Sequence, residues 1–122
     1  VKFLKERVPA NLGAPLATLP RMQEVAGGIE ARLAVNARLI DSFASDFDNG
    51  FPLSAIESNI IKLTVTNNAA AVVEDALSLT SNHGLSRTNP LERHYRDVLC
   101  GRVHTPQDDS TRVAAGRFAL GV

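Results

Sequence analysis

His83, His94, His104 and Cys100 are the side chains of this sequence whose types could bind a metal or attack a substrate. Metal binding needs several such groups to converge at ligand spacing. His94 and His104 do not stand at the i, i+4 step of a zinc-binding helix, and His83 falls in a loop, so no metal site is expected. Cys100 and His104 do stand one helical step of four apart, the spacing a thiolate nucleophile and its base would need. The competing reading of Cys100 is a buried, inert thiol, because it lies beside Val98 and Leu99. The carboxylates are dispersed, so no paired acid and base of the glycosidase kind is legible. The sequence has neither a phosphate loop ending in Gly-Lys-Ser/Thr nor a GxGxxG fingerprint after a strand. His104 stands out by place: it lies between two helical stretches, in the kind of junction where rigid elements present reactive groups. Its imidazole exchanges a proton near neutral pH. The alternative is an exposed junction histidine that only helps to end a helix. On spacing alone this second reading weighs more.

These residues need a scaffold, and composition bounds it. The chain has 122 residues, with 13 basic and 13 acidic side chains and a formal net charge of +0. That length suits one domain with a real core. Neutral charge removes the electrostatic case for nucleic acid. A content of 44% hydrophobic and 21% charged residues is that of a folded domain rather than a disordered tail. The absence of Trp, with 5% aromatics, argues against a stacking platform and for an Ala- and Leu-rich helical bundle. One cysteine cannot form an internal disulfide, so a cytoplasmic location is expected. No apolar run approaches the ~20 residues of a membrane span, and no signal peptide opens the chain. The start at Val1, with Met22 the only methionine, points to a piece of a larger protein.

Periodicity places the elements. Val1–Pro9 has helical composition and reads as the tail of a first helix. Ala10–Leu19, with Gly13 and Pro15, is a loop. Thr18 is the expected N-cap of a long helix with Pro20 in its first turn. Met22, Val25, Ile29, Leu33, Ala37, Ile40, Ala44 and Phe47 form one apolar stripe along it. Gly27-Gly28 within the stripe reads as a close helix crossing or as a functional kink. The turn chemistry of Asp46–Gly50 ends this helix. Pro52 opens a second long helix, apolar on most sides and therefore buried on most sides. Its Thr64, Thr66, Asn67 and Asn68 either bond across helices or face a site or a partner chain. Ser81–Asn89 is a loop in which Gly84 is expected to take a left-handed backbone. Asn89-Pro90-Leu91-Glu92 is close to a capping box and starts a helix through Val103. Thr105-Pro106-Gln107-Asp108 repeats the start signal, with Asp108 and Asp109 in the first turn of a helix that closes at Gly121. The reading is all-α, an antiparallel helical bundle with short loops between its last three helices.

The stretch Ser81–Gly121, SNHGLSRTNPLERHYRDVLCGRVHTPQDDSTRVAAGRFALG, resembles the C-terminal region of the acyl-CoA dehydrogenase superfamily. The specific signals are the glycine-containing loop after a long helix and the pattern Pro90, Arg93, Arg96, Asp97 on the next. The resemblance implies the four-helix C-terminal domain of that family over residues 1–122, with most of its first helix missing. It also implies a flavoenzyme, with FAD or FMN held between this bundle and N-terminal and middle domains that are not here. In the family, members assemble as homo-oligomers, usually tetramers, through these bundles. The loop approaches the flavin of a neighbouring subunit, which makes Asn82, His83 and Gly84 the cofactor-binding candidates.

One departure bears on chemistry. Ordinary short- and medium-chain members carry a catalytic Glu after the Arg-Asp helix, whereas the matching segment Arg102–Pro106 (RVHTP) has no carboxylate. A histidine before a proline at this place resembles the monooxygenase branch, where it stands near the flavin and helps stabilise a reduced-flavin–oxygen adduct. On that resemblance His104 is the catalytic candidate, and the reading of an exposed junction residue gives way to a functional one. The alternative is a dehydrogenase proper, acting on an acyl-CoA, with its Glu on the first helix upstream. A third reading is a non-catalytic oligomerisation module. The isolated bundle is expected to be inactive, not to hold flavin tightly and to self-associate. No metal, nucleic acid or membrane partner is expected; the substrate is a small molecule or an acyl-CoA.

Overall fold

Caps and prolines set where the helices begin. The computed structural model describes residues 1–51 and 53–122. Its helices are α1 (Lys2–Glu6), α2 (Pro20–Asp48), α3 (Ala55–Thr80), α4 (Pro90–Val103) and α5 (Asp108–Leu120), and there is no strand among the described residues. α2 begins with Pro20 at its first turn, as expected, but Thr18 does not cap it. The Thr18 hydroxyl instead donates back to the Pro15 carbonyl at 2.8 Å and closes a 3-10 turn over Leu16–Thr18. α2 ends in the expected turn, with Gly50 at φ +77° and the Asn49 amide donating to the Ser45 carbonyl at 2.8 Å.

The expectation that Pro52 opens the next helix falls on a residue outside those described. α3 begins at Ala55 through a capping box the sequence reading missed. The Ser54 hydroxyl oxygen accepts from the Glu57 N–H at 3.2 Å, and the Glu57 carboxylate accepts from the Ser54 N–H at 3.0 Å. The Ser54 hydroxyl also donates to the Glu57 carboxylate at 2.7 Å, and this bond, followed by that from the Ser54 N–H, lowers the Glu57 pKa. At α4, Asn89 caps as expected, accepting from the Leu91 N–H at 3.0 Å, while Glu92 turns away to pair with Arg96 at 3.1 Å. The expected start at Thr105-Pro106 is displaced: α5 starts at Asp108, after Gln107 in an extended conformation. Gly121 closes α5 at φ +71°, the left-handed conformation that glycine adopts without strain.

α3 is the centre of the bundle, with α2, α4 and α5 packed on it and α1 touching it more lightly. Its residues 61–73, Ala70 apart, are half-buried on every side, which is why its sequence is apolar all round. α2 and α3 run antiparallel, since Arg32 pairs with Asp75 at 2.8 Å and, further along α2, Asn36 accepts from the Asn68 amide at 2.9 Å. α4 is antiparallel to α3 as well: its first residues share a groove with Leu79 and Thr80, and Gly101 near its end meets Thr66.

The face of α2 turned to α3 differs from the apolar stripe. Val25, Ile29, Arg32, Asn36 and Leu39 are covered, while Leu33, Ile40 and Phe47 stay exposed. The buried Asn36 sets this face, since its amide also donates to the Val65 carbonyl at 3.0 Å. A polar group taken from water needs such partners. The glycine pair does not mark a helix crossing: a Cβ on Gly27 would meet nothing within 4 Å, and one on Gly28 only Arg32 of the same helix. α2 runs through both as one helix, and nothing in the structure explains them. The core gathers at one end, where Leu4, Val25 and Leu79 pack with Phe3, Leu16, Met22 and Ile29.

Candidate functional site

The candidate residues occupy the two ends of α4. At its C-terminal end α4 turns into α5 through Val103–Gln107, and α3 holds this corner from below. The Lys62 ammonium donates to the carbonyls of Gly101 at 2.7 Å, His104 at 3.0 Å and Pro106 at 2.8 Å. Each of its three hydrogens thus has an acceptor. A cation at a helix C-terminus also meets the negative end of the helix dipole. Asp108, in the first turn of α5, accepts from the Asn67 amide at 2.7 Å and lies 4.0 Å from Lys62 and 3.7 Å from Arg112. Gly101 allows the close approach, because a Cβ there would stand 3.1 Å from both Cβ and Cγ2 of Thr66.

His104 sits at the tip of this corner, exposed, as the C-cap of α4. Its Nδ1 lies 3.1 Å from the Thr105 carbonyl, so one ring nitrogen rests on the corner's own backbone while the side chain stays exposed. Cys100 is exposed, contrary to the buried thiol expected from its apolar neighbours, because α4 turns its other side to α3. Cys100 and His104 meet through the backbone bond from His104 N–H to Cys100 O at 3.0 Å, which is a helix-end bond and not a catalytic pair. Between Arg102 and Pro106 there is no carboxylate; the nearest one along the chain, Asp108, is half-buried, with Oδ2 bonded to Asn67 and Oδ1 buried without a hydrogen-bond partner.

At the other end of α4 lies the loop 81–89. Asn82 and His83 are exposed, and the His83 ring stacks on Phe3 of α1 with centroids 4.7 Å apart. Gly84 is buried but not left-handed, with φ −68° and ψ −27°. It is needed for space: a Cβ would run into the Thr80 hydroxyl and stand 3.1 Å from Leu77 Cδ2. The residue with positive φ is Ser81, at +50°. From the end of the loop into α4, Arg87, Arg93 and Arg96 line a cleft with Thr88, Asn89 and Glu92, the last paired with Arg96 at 3.1 Å. The structure does not bring His104 together with Asn82, His83 and Gly84. The 14 residues of α4 lie between them, about 20 Å of helix. His94 is exposed midway along α4. Among the described residues no helix is long and apolar enough to cross a membrane.

The polar residues of α3 divide. Asn67 and Asn68 bond across helices, whereas Thr64 and Thr66 donate to carbonyls of their own helix, Ile60 and Lys62. Lys62, which holds this corner, is the residue that sequence reading missed. Its acceptors are backbone carbonyls, which every residue carries, so no side-chain pattern signals it.

The sequence pattern of the family described as "Acyl-CoA dehydrogenase, C-terminal domain" matches residues 2–112. The Bacillus subtilis protein named "Putative acyl-CoA dehydrogenase YdbM" is 34% identical over 97% of this chain and 32% of its own length. The "Acryloyl-CoA reductase (NADH)" of Anaerotignum propionicum is 29% identical over 98% of this chain and 30% of its own. A crystal structure of an acyl-CoA dehydrogenase from Slackia heliotrinireducens superposes with a TM-score of 0.85 at 20% identity, covering 98% of this chain and 31% of that one, and shows the same fold. The chain spans about a third of the length of the curated relatives it matches. These relatives carry acyl-CoA dehydrogenase and reductase names, and none of them is a monooxygenase. With its fold, its Arg-Asp helix and its matched sequence in agreement, the chain belongs to the acyl-CoA dehydrogenase C-terminal domain family.

Proposed function

We propose that this chain is the C-terminal helical domain of a flavin-dependent oxidoreductase that acts on an acyl-CoA, with His104 facing the reacting groups. The observation that carries the reading is the corner itself. It is the segment that bears the catalytic Glu in the members it resembles, and it presents an exposed imidazole on a gripped backbone. The relatives' acyl-CoA names support the substrate class. The rest of the pocket then comes from N-terminal and middle domains, as the share of the relatives' length supports. A base for removing a proton next to the thioester must come from outside Arg102–Pro106, because that segment has no carboxylate.

The other end of α4 fits a cofactor. Exposed Asn82 and His83, with a cleft where Arg87 and Arg93 stand beside an Arg96 paired to Glu92, suit a polar group with net negative charge. The adenosine diphosphate portion of FAD has that character, whereas FMN has no adenosine to place there. The bound flavin would supply hydride or electron transfer; Asn82 and His83 would hydrogen-bond its far end. With α4 between them, His104 and the loop serve different parts of the cofactor, or flavins of two subunits. Exposed Leu33, Ile40 and Phe47 on α2 and Val113, Phe118 and Leu120 on α5 support assembly with further copies or domains.

A second reading, a monooxygenase-like enzyme using reduced flavin and O2, is favoured by the imidazole standing where a carboxylate would be. One experiment separates them. Loss of flavin colour when an acyl-CoA is added without oxygen supports the dehydrogenase reading. Oxygen uptake by the reduced protein, altered in His104→Ala, supports the other. If His104→Ala changes neither, His104 leaves the mechanism.

A further inference from the structure

We infer that Lys62 is a positioning residue: it fixes the backbone on both sides of His104 and so sets where the imidazole points. The inference rests on the reading of His104 as the residue facing the reacting groups. The geometry behind it is one-sided. Three charge-assisted bonds of 2.7–3.0 Å reach the carbonyls of Gly101, His104 and Pro106, which lie before, at and after the histidine. Asn67 and Thr66, on the next turn of α3, hold the two flanks, through Asp108 at 2.7 Å and through contact with Gly101. The grip is entirely on main chain and on the flanks, so the His104 ring is left outside it, with Nδ1 near the Thr105 carbonyl. The Lys62 side chain is 24% exposed, so these bonds compete little with water.

A residue that merely stabilised the bundle would not distinguish this corner from the rest. The test compares Lys62→Met with Asn36→Ala in the intact protein. Asn36→Ala cuts the α2–α3 network instead. Two readouts are followed: hydrogen exchange at the amides of 101–104, and the His104 ring proton resonances. In Lys62→Met exchange in the corner should rise about tenfold or more, the factor for losing one charge-assisted bond. The His104 resonances should shift, while Asn36→Ala leaves both as in the parent. Unchanged corner signals in Lys62→Met, or equal changes in Asn36→Ala, overturn the inference. If Lys62→Met does not fold, Lys62→Arg takes its place. A planar guanidinium cannot reproduce three bonds splayed from one nitrogen, so the same shift is expected, and its absence overturns the inference equally. If the corner loosens in these variants while His104→Ala leaves flavin reduction and oxygen uptake untouched, the positioning stands and the functional reading of His104 falls.

Discussion

At its C-terminal end α4 is held by an ammonium reaching up from α3, and at its N-terminal end the chain is held by packing. The corner around His104 is gripped through carbonyl oxygens that any residue would offer. The loop around Gly84 is gripped through the absence of a side chain, against Thr80 and Leu77. The first device leaves the side chains of Val103, His104 and Thr105 free, while Gly101 must stay small against Thr66 and Asp108 keeps its bond to Asn67. The second dictates its residue. A turn held through its main chain accepts different side chains at its tip without rebuilding the fold. The loop can exchange much less, because one residue sets its path.

The contrast can be broken by attacking each device in turn. The largest effect is expected from Lys62→Met, which strands three carbonyls and should cost about 3 kcal/mol in a denaturant melt. Replacing His104 by Ala should cost little stability, since its carbonyl remains; a loss as large as that of Lys62→Met would show the corner to be held by its side chain. Gly84→Ala should come next, at about 1–3 kcal/mol from overpacking. The double variant with Thr80→Ala should recover part of that loss, and no recovery would mean that the glycine serves some purpose other than space. Asn36→Ala should cost about 1–2 kcal/mol by leaving the Val65 carbonyl and the Asn68 amide without their partner.

The smallest effect is a baseline away from α4, at the Ser54–Glu57 capping box. The Glu57 pKa is lowered in the folded chain, so its contribution is present above the ordinary carboxylate value of 4.5 and is lost as pH falls through the lowered one. The stability gap between the parent and Glu57→Gln should therefore be constant at neutral pH and close in acid. A gap that widens in acid would reverse the sign.

Much of the scaffold was legible in the sequence. The order of helices, Pro20 in the first turn of α2, Asn89 as a cap and Gly121 as a stop all follow from local chemistry, and local chemistry survives folding. Two kinds of feature were not legible. The stripe on α2 pointed to Leu33, Ile40 and Phe47, but Asn36 was satisfied by partners on another helix and took the buried place. Thr18 and Thr105 resembled caps, yet one bonded backwards to Pro15 and the other precedes the helix it should start. Of the candidate site, His104 was legible as a junction, and the family resemblance pointed to the loop. Lys62 was hidden because its three acceptors lie some forty residues further along the chain and belong to the backbone.

The Lys62 grip has a chemical corollary. An ammonium whose three hydrogens are all directed at carbonyls has no donor left for another group. Bound to Gly101, His104 and Pro106, Lys62 is therefore spent on the shape of the corner and adds no free hydrogen-bond donor to the surface beside His104.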